Sequence, residues 1–156
     1  MSKATESAQS LRQAGQAWLL FCVICPADIQ RAWDAEELAP IETGPHWMAA
    51  EAPLRQSMDA IKRIGPDRLG PVLADVTSER AWWLLPPCLD DELDDILLLT
   101  VHPHGWPLRC PPVLYPVRGR VWVERPDGSG RLTDPTFLGA ALGPGGGPRL
   151  PAEAFG

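Results

Sequence analysis

The 156-residue sequence is short of several residue classes, and each shortage excludes a class of protein. It has only two lysines and a formal net charge of −6 at neutral pH. Proteins that bind nucleic acid use Lys and Arg to neutralise phosphates, so this acidic chain without a basic cluster is not predicted to bind nucleic acid generally. The one long apolar run, residues 17–25, is too short to span a bilayer, and no secretory signal is visible. We therefore expect a cytoplasmic protein that does not contact a membrane.

Cysteine is also scarce, and four cysteines do not require disulfides in a reducing compartment. Cys22 and Cys25 form a C-x-x-C pair, a spacing found in zinc sites and in redox pairs. A structural zinc site needs a second pair, whereas Cys88 and Cys110 are isolated in the sequence. The apolar neighbours of the pair favour two small core residues. A zinc site and a redox pair remain the alternatives.

Complete catalytic motifs are missing from the chain. It contains no nucleophile elbow, phosphate-binding loop, dinucleotide fingerprint or zinc-protease helix. The glycine-rich run 143–147 follows a predicted helix instead of leading into one. It therefore indicates a helix cap and a flexible tail, not a phosphate cradle.

Eighteen prolines, fourteen glycines and seven tryptophans are what the chain has in quantity. The prolines and glycines indicate short elements and many fixed turns. Most of the indoles should be core or interface anchors, because each buries a large area and needs one partner for its N–H. We expect Trp106 and one member of the Trp82–Trp83 pair to be exposed, where they could stack on a base or on a partner.

Two imidazoles lie close together in a proline-rich segment. His102 and His104 would lie on one side of an extended chain, with Cys110 nearby, and could bind a metal ion. A solvated turn is the favoured interpretation, because a lone His-x-His carries no further ligand signal.

An acidic run packs five carboxylates into the six positions 90–95. Such a run could hold magnesium or calcium, but the spacing and the glycine of an EF-hand loop are absent. A solvated surface or a partner-docking patch that includes Asp90, Asp91 and Asp94 is favoured. No cofactor is predicted, with zinc or magnesium as the alternatives.

Periodicity predicts helices in the first half of the chain and strands in the second. Helices are predicted over 10–18, 27–38 and 47–64, with a loop at 39–46, while residues 19–25 could continue the first helix or form a buried strand. Strands are predicted over 71–74, 81–85, 96–102, 108–110 and 115–124. A last helix runs over 134–142, with Asp134 as its cap and Pro135 at its first position.

These elements predict an α+β fold. N-terminal helices would cover a small mixed or antiparallel sheet, and one short helix would follow it. Residues 1–142 would form a single domain, and residues 143–156 would form a flexible Gly/Pro-rich tail.

Five short segments of the second half carry a family resemblance. They are Gly-Pro-Val-Leu-Ala-Asp (70–75), Ala-Trp-Trp-Leu-Leu-Pro-Pro (81–87), Leu-Arg-Cys-Pro-Pro (108–112), Gly-Arg-Val-Trp-Val-Glu (119–124) and the helix at 134–142. They resemble the later part of the N-terminal primase–polymerase domain of bifunctional bacterial DNA primase/polymerases. More closely, they resemble small actinobacterial proteins of uncertain function that carry this kind of domain.

The chain departs from this family at the catalytic positions. Active members hold divalent metal with an Asp-x-Asp pair on a core strand and use a later histidine and acidic residue. No Asp-x-Asp pair occurs here; Asp90 and Glu92 have a similar spacing but belong to the acidic run, and His102 and His104 lack the Ser-x-His context. The resemblance therefore implies a scaffold that lacks the catalytic motifs.

The leading expectation is a non-catalytic interaction or regulatory protein that contacts a protein partner or a second copy of itself. The contacts would involve exposed tryptophan and the acidic run 90–95. One alternative is a nucleotide- or metal-dependent enzyme of nucleic-acid metabolism, with candidate residues Asp75, Asp90, Glu92, His102 and His104. Another is a small zinc-stabilised domain that uses Cys22 and Cys25.

Overall fold

The computed structural model describes residues 3–89, 91 and 93–143. The helices are α1 (Lys3–Phe21), α2 (Pro26–Asp34), α3 (Leu54–Ile64) and α4 (Pro135–Leu142), with a single 3-10 turn at Pro66–Arg68 in this part of the chain. The strands are β1 (Ala39–Glu42), β2 (Met48–Pro53), β3 (Val72–Asp75), β4 (Arg80–Leu85), β5 (Thr100–Val101), β6 (Pro107–Cys110) and β7 (Arg120–Glu124). The fold is α+β, as predicted.

The centre of the molecule is a five-stranded antiparallel sheet in the order β5-β2-β4-β3-β7. β3 and β4 pair as an antiparallel hairpin, and the strands predicted over 71–74 and 81–85 are confirmed. The hairpin turn is held by Asp75, whose Oδ1 accepts the backbone N–H groups of Thr77 at 2.9 Å and Ser78 at 3.1 Å. β1 and β6 form a separate two-stranded antiparallel sheet.

The five-stranded sheet separates two apolar cores, because alternate residues of a strand point to opposite faces. Trp82 and Leu84 of β4 belong to the core shared with α1, α2 and the inner side of the small sheet. Trp83 and Leu85 belong to the core shared with α3 and α4. The N-terminal helices therefore cover one face of the sheet, as expected, and the later helices cover the other.

Two buried tryptophans tie these layers together through their indole N–H groups. Trp33 of α2 donates to the backbone oxygen of Cys110 at 2.9 Å, which fixes α2 to the end of β6. Trp83 donates to Ser57 Oγ at 3.0 Å and so fixes β4 to α3. Truncating either fully buried indole to alanine should cost about 3–5 kcal/mol, since a cavity and an unpaired acceptor would remain.

The predicted helix over 47–64 is wrong in its first half. Met48–Pro53 forms β2 between β4 and β5, and the helix begins only at Leu54. The segment Met-Ala-Ala-Glu-Ala-Pro contains good helix formers, but pairing on both edges and burial override that local preference. The second half of the prediction is confirmed by α3, which ends at Ile64 and is followed by Gly65 with a φ of 87°.

Other predicted boundaries shift for related reasons. The loop expected at 39–46 contains β1, which pairs with β6 far along the chain. The strand expected at 96–102 is reduced to the two residues of β5, and Leu97 is 97% exposed. α1 continues to Phe21 and a turn follows, which settles the open choice for residues 19–25 in favour of helix.

The C-terminal helix is confirmed with its cap. Asp134 Oδ1 accepts the backbone N–H of Thr136 at 2.8 Å, and Pro135 occupies the first turn. Of the tail predicted over 143–156, all but Gly143 lies outside the described residues. Within the described part, no helix is both long and apolar enough to cross a bilayer.

Candidate functional site

Charged residues line up on the face of the five-stranded sheet that also packs against α1 and α2. Strand pairing sets Asp75 of β3 between Arg80 of β4 and Arg120 of β7, so charges of alternating sign lie side by side. Glu51 of β2 lies one row away, and His102 directly follows β5. We call these five residues the sheet-face cluster.

Glu51 is the centre of this cluster and makes contact with three neighbouring side chains. Arg80 Nε donates to its Oε2 at 2.8 Å and Trp82 Nε1 donates to its Oε1 at 3.1 Å, while His102 Nε2 lies 2.8 Å from Oε1. Burial alone would raise the pKa of Glu51, but these bonds and the charge of Arg80 outweigh it and lower the pKa. Glu51 is therefore an ionised acceptor at neutral pH.

Arg120 forms the second ion pair of the cluster. Its Nε lies 3.1 Å from Asp75 Oδ2, its guanidinium lies 4.3 Å from the centre of the Trp82 ring, and its Nη1 donates to the backbone oxygen of Arg109 at 2.7 Å. Burial would raise the pKa of Asp75, but the Ser78 backbone N–H and Arg120 together lower it. Each carboxylate of the cluster is thus paired with its own guanidinium.

His102 is held between Glu51 and an aromatic ring. Its imidazole stacks on Trp106 with ring centres 3.6 Å apart and planes 4° from parallel. The backbone of Trp106 is fixed in turn, because its N–H donates to Thr43 Oγ1 at 3.1 Å. The Trp106 ring is therefore covered on one face and is half-buried instead of exposed as predicted, so less of its surface is open to a partner.

The expectation that one of Trp82 and Trp83 is exposed is wrong. Both are buried, because adjacent residues of β4 point to opposite faces and each face is covered by helices. Sequence reasoning placed an indole at the surface without knowing that β4 is the central strand.

The acidic run lies at the surface in the residues that are described. Asp91 and Asp94 are exposed, as a solvated or partner-docking patch requires, and the buried Leu93 anchors the segment. Asp90 and Glu92, also named as candidates, lie outside the described residues.

The two histidines considered as possible metal ligands turn to different neighbours. His102 contacts Glu51, whereas the exposed His104 lies against Gly44, where a Cβ would sit 2.8 Å from the His104 Nδ1. Cys110 is buried, and its thiol donates to the backbone oxygen of Leu108. Across residues 3–89, 91 and 93–143, no group of three or more His, Cys, Asp or Glu side chains is placed to hold a metal ion.

Cys22 and Cys25 lie at the corner between α1 and α2. Burial raises the pKa of Cys22 to about 11, so its thiol is protonated and weakly nucleophilic at neutral pH. Cys25 is exposed. The two cysteines were predicted to be core residues. Cys22 is only half-buried, and Cys25 is not a core residue.

An apolar groove of about 330 Å³ opens at the same corner, between α1, α2 and β1. We call it the corner groove; its lining residues are Cys22, Val23, Ile24, Cys25, Asp28, Ile29, Pro40, Glu42 and Pro45. Ile24 is fully exposed at 103% and the neighbouring Phe21 at 73%, with its ring 5.5 Å from that of His46. Exposed large apolar side chains beside an apolar groove make this corner a candidate interaction surface.

Sequence reasoning did not find the central members of either site. Glu51, Arg80 and Arg120 are separated by tens of residues, and only strand register brings them together. The single acidic residue in the otherwise apolar segment 48–53 was the one local signal for Glu51. Ile24 belongs to residues 19–25, for which the sequence left a continued helix and a buried strand open, whereas α1 ends three residues earlier and Ile24 is exposed.

No family model, curated protein or solved structure matches this chain. The resemblance to primase–polymerase domains therefore stays a prediction from the sequence.

Proposed function

We propose that the protein is a non-catalytic interaction or regulatory protein, which presents the corner groove to a protein partner. The observation that carries this proposal is the exposure of Phe21 and Ile24 beside the groove. Leaving two large apolar side chains in water forgoes about 1.5–3 kcal/mol each, and a partner that covered them would recover part of it.

The sheet-face cluster has the properties of a structural group of ion pairs and not those of a catalytic site. A general base should have a pKa near the working pH, whereas the pKa values of Glu51 and Asp75 are both lowered. A metal ion at these carboxylates would have to displace the guanidinium groups of Arg80 and Arg120. The cluster is better suited to joining strands β2, β3, β4 and β7 than to holding a substrate.

The acidic run supplies a second candidate contact surface. The exposed Asp91, Asp94 and Asp95 lie just before Leu97, which is also exposed. A loop that combines carboxylates with an exposed leucine suits a partner with a basic and apolar surface. The predicted docking role of this run therefore remains part of the proposal.

Site-specific photo-crosslinking in the native host tests the proposal. A benzophenone amino acid replaces Phe21 in one strain and Leu97 in another, and the exposed Val76 in the β3–β4 turn serves as the control position. We expect a discrete protein adduct from position 21 that is absent from position 76. The identified protein, once purified, should bind the wild-type chain at least about tenfold more tightly than Ile24→Asp, a difference of about 1.4 kcal/mol.

Two results would count against this function. One is the absence of a specific adduct at positions 21 and 97 under conditions in which the chain is folded and expressed. The other is a purified partner that binds Ile24→Asp and wild type equally while Val76→Asp weakens binding, because the contact would then lie elsewhere.

A further inference from the structure

The outer edge of β1 is unpaired and lies beside the corner groove. β1 pairs with β6, and among the strands of the described chain no other strand pairs with it. Pro40 and Glu42 of β1 line the groove together with the α1–α2 corner. A free strand edge next to an apolar depression is the arrangement that lets an extended peptide add to a sheet.

The register identifies which backbone groups of β1 face outward. Immediately after β1, Thr43 donates to the backbone oxygen of Trp106 at 3.0 Å and accepts the N–H of Gly105 at 2.7 Å, so its backbone groups face β6. Backbone direction alternates along a strand, so Pro40 and Glu42 direct theirs away from β6. The outer edge thus offers the carbonyl of Pro40 and both the N–H and the carbonyl of Glu42.

The proline in β1 limits what can pair there. Pro40 has no N–H, so this edge supplies two acceptors and only one donor. A second copy of β1 would bring the same shortage of donors and a second Glu42, on a chain of net charge −6. Self-pairing is therefore disfavoured, and a strand from a different protein, with its full set of N–H groups, fits better.

The side chains around this edge define the chemistry of the occupant. The groove lining includes the carboxylates of Asp28 and Glu42 and neither lysine nor arginine. Asp28 already pairs with Arg31, whereas no hydrogen bond or ion pair of the Glu42 carboxylate is found in the described part of the chain. The apolar part of the lining includes the exposed Ile24 and the mostly buried Ile29.

We propose that the corner groove binds an extended segment of the partner protein, which adds to β1 as a short third strand. An apolar side chain of this segment packs on Ile24 and Ile29, and a neighbouring Lys or Arg pairs with Glu42. This proposal rests on the proposed function and names the class of partner: an extended, basic and apolar peptide segment. Backbone hydrogen bonds supply the affinity, and the side chains supply the selectivity.

Three blocked pentapeptides are the probes. The first alternates lysine and valine (acetyl-Lys-Val-Lys-Val-Lys-amide), the second replaces each lysine by glutamate, and the third repeats the first with all five backbone nitrogens of its residues methylated. Each is titrated into the full-length, ¹⁵N-labelled protein, and amide shifts report the position and affinity of binding. We expect the first peptide to shift the amides of Ile24, Ile29 and Glu42, and the other two to bind at least about tenfold more weakly.

Two charge reversals separate local contact from long-range attraction. Glu42→Lys and Asp59→Lys change the net charge of the chain equally, but Asp59 is exposed on α3, which packs on the opposite face of the sheet. We expect Glu42→Lys to weaken binding of the lysine peptide at least about tenfold, whereas Asp59→Lys should weaken it less than about threefold.

Several results would overturn the peptide proposal. They are equal binding of the methylated peptide, equal effects of the two charge reversals, shifts confined to other surfaces, and no binding of the lysine peptide up to about 1 mM. If crosslinking at position 21 succeeds and the peptides fail, the interaction function stands and only this mode of binding is wrong. If crosslinking finds no partner, the proposed function itself fails.

Discussion

Replacing Glu51 by glutamine tests whether the sheet-face cluster stabilises the fold. The substitution keeps the shape of the side chain but removes its negative charge. In the wild type, the carboxylate pairs with Arg80, accepts a hydrogen bond from Trp82 and lies against His102. Hydrogen bonds to charged groups contribute about 1.5–3 kcal/mol each when buried. Here the side chains are partly in water, with Glu51 21% and Arg80 33% exposed, so the values must be reduced.

We expect Glu51→Gln to lower the free energy of unfolding by roughly 1–2 kcal/mol at pH 7. For a chain of this length that corresponds to a decrease in Tm of about 2–8 °C. Urea unfolding, followed by tryptophan fluorescence, measures the difference, because the indoles are distributed through both cores.

The pH dependence of this difference gives a second test. The pKa of Glu51 is lower in the folded than in the unfolded chain, so the ionised carboxylate favours folding. Its contribution is fully present above the unfolded pKa of about 4.3 and is lost as the pH falls through the lower folded value. The gap between wild type and Glu51→Gln should therefore be present at pH 7 and narrow below about pH 4.

Glu37→Gln is the matched control. Glu37 pairs with Arg118 at 3.2 Å, but both side chains are mostly exposed, so its removal should change the free energy of unfolding by less than about 0.5 kcal/mol. The reasoning is refuted if Glu51→Gln costs no more than Glu37→Gln at pH 7, or if its cost does not change with acidification.

Four further variants probe other parts of the structure. Gly15→Ala would place a Cβ 1.8 Å from the backbone oxygen of Pro126 and should lower the free energy of unfolding, measured in urea, by at least about 2 kcal/mol. The control is Gly139→Ala in α4, whose Cβ would lie 3.4 Å from the Leu93 side chain and which should be neutral or stabilising. Burial raises the pKa of Glu124, so its ionised form opposes folding above the unfolded pKa of about 4.3, and Glu124→Gln should raise Tm at pH 7 but not at pH 3; no gain at pH 7 would contradict this. Cys22→Ser should keep the circular dichroism spectrum of the folded wild type, and metal analysis of the purified wild type should find no stoichiometric zinc. If the wild type holds zinc and Cys22→Ser unfolds with loss of that zinc, the zinc-stabilised domain would be supported instead.

Elements with a strong local signal could be predicted from the sequence. The β3–β4 hairpin has apolar strands on both sides of a polar turn, and α4 has an Asp–Pro start, so short-range patterns were sufficient. β2 could not be predicted in this way, because Met48–Pro53 favours helix locally and becomes a strand only through its partners β4 and β5.

The candidate sites depended even more on tertiary structure. Asp75 and His102 were recognised as possible functional residues, and the structure does bring them into one cluster. Their partners, Arg120 for Asp75 and Glu51 for His102, were not predicted, because both pairings join residues far apart in the sequence. The pairing of Asp75 with Arg120 spans 45 residues and follows from strand order alone. Without the strand register, these residues could be interpreted as a catalytic site. The structure instead pairs each carboxylate of the cluster with an arginine.

Thermal unfolding of the purified protein with added ligands tests the central claim most directly. The ligands are Mg²⁺, Mn²⁺ and Zn²⁺, each with and without nucleoside triphosphates, at concentrations near 100 times a plausible dissociation constant. A bound ligand would stabilise the fold by about 2.7 kcal/mol under these conditions, equivalent to a Tm increase of about 5–10 °C. If the protein is an interaction protein whose charged cluster is paired internally, we expect Tm to change by less than about 1 °C. An increase of several degrees that is lost in Glu51→Gln would contradict it and support the enzyme alternative.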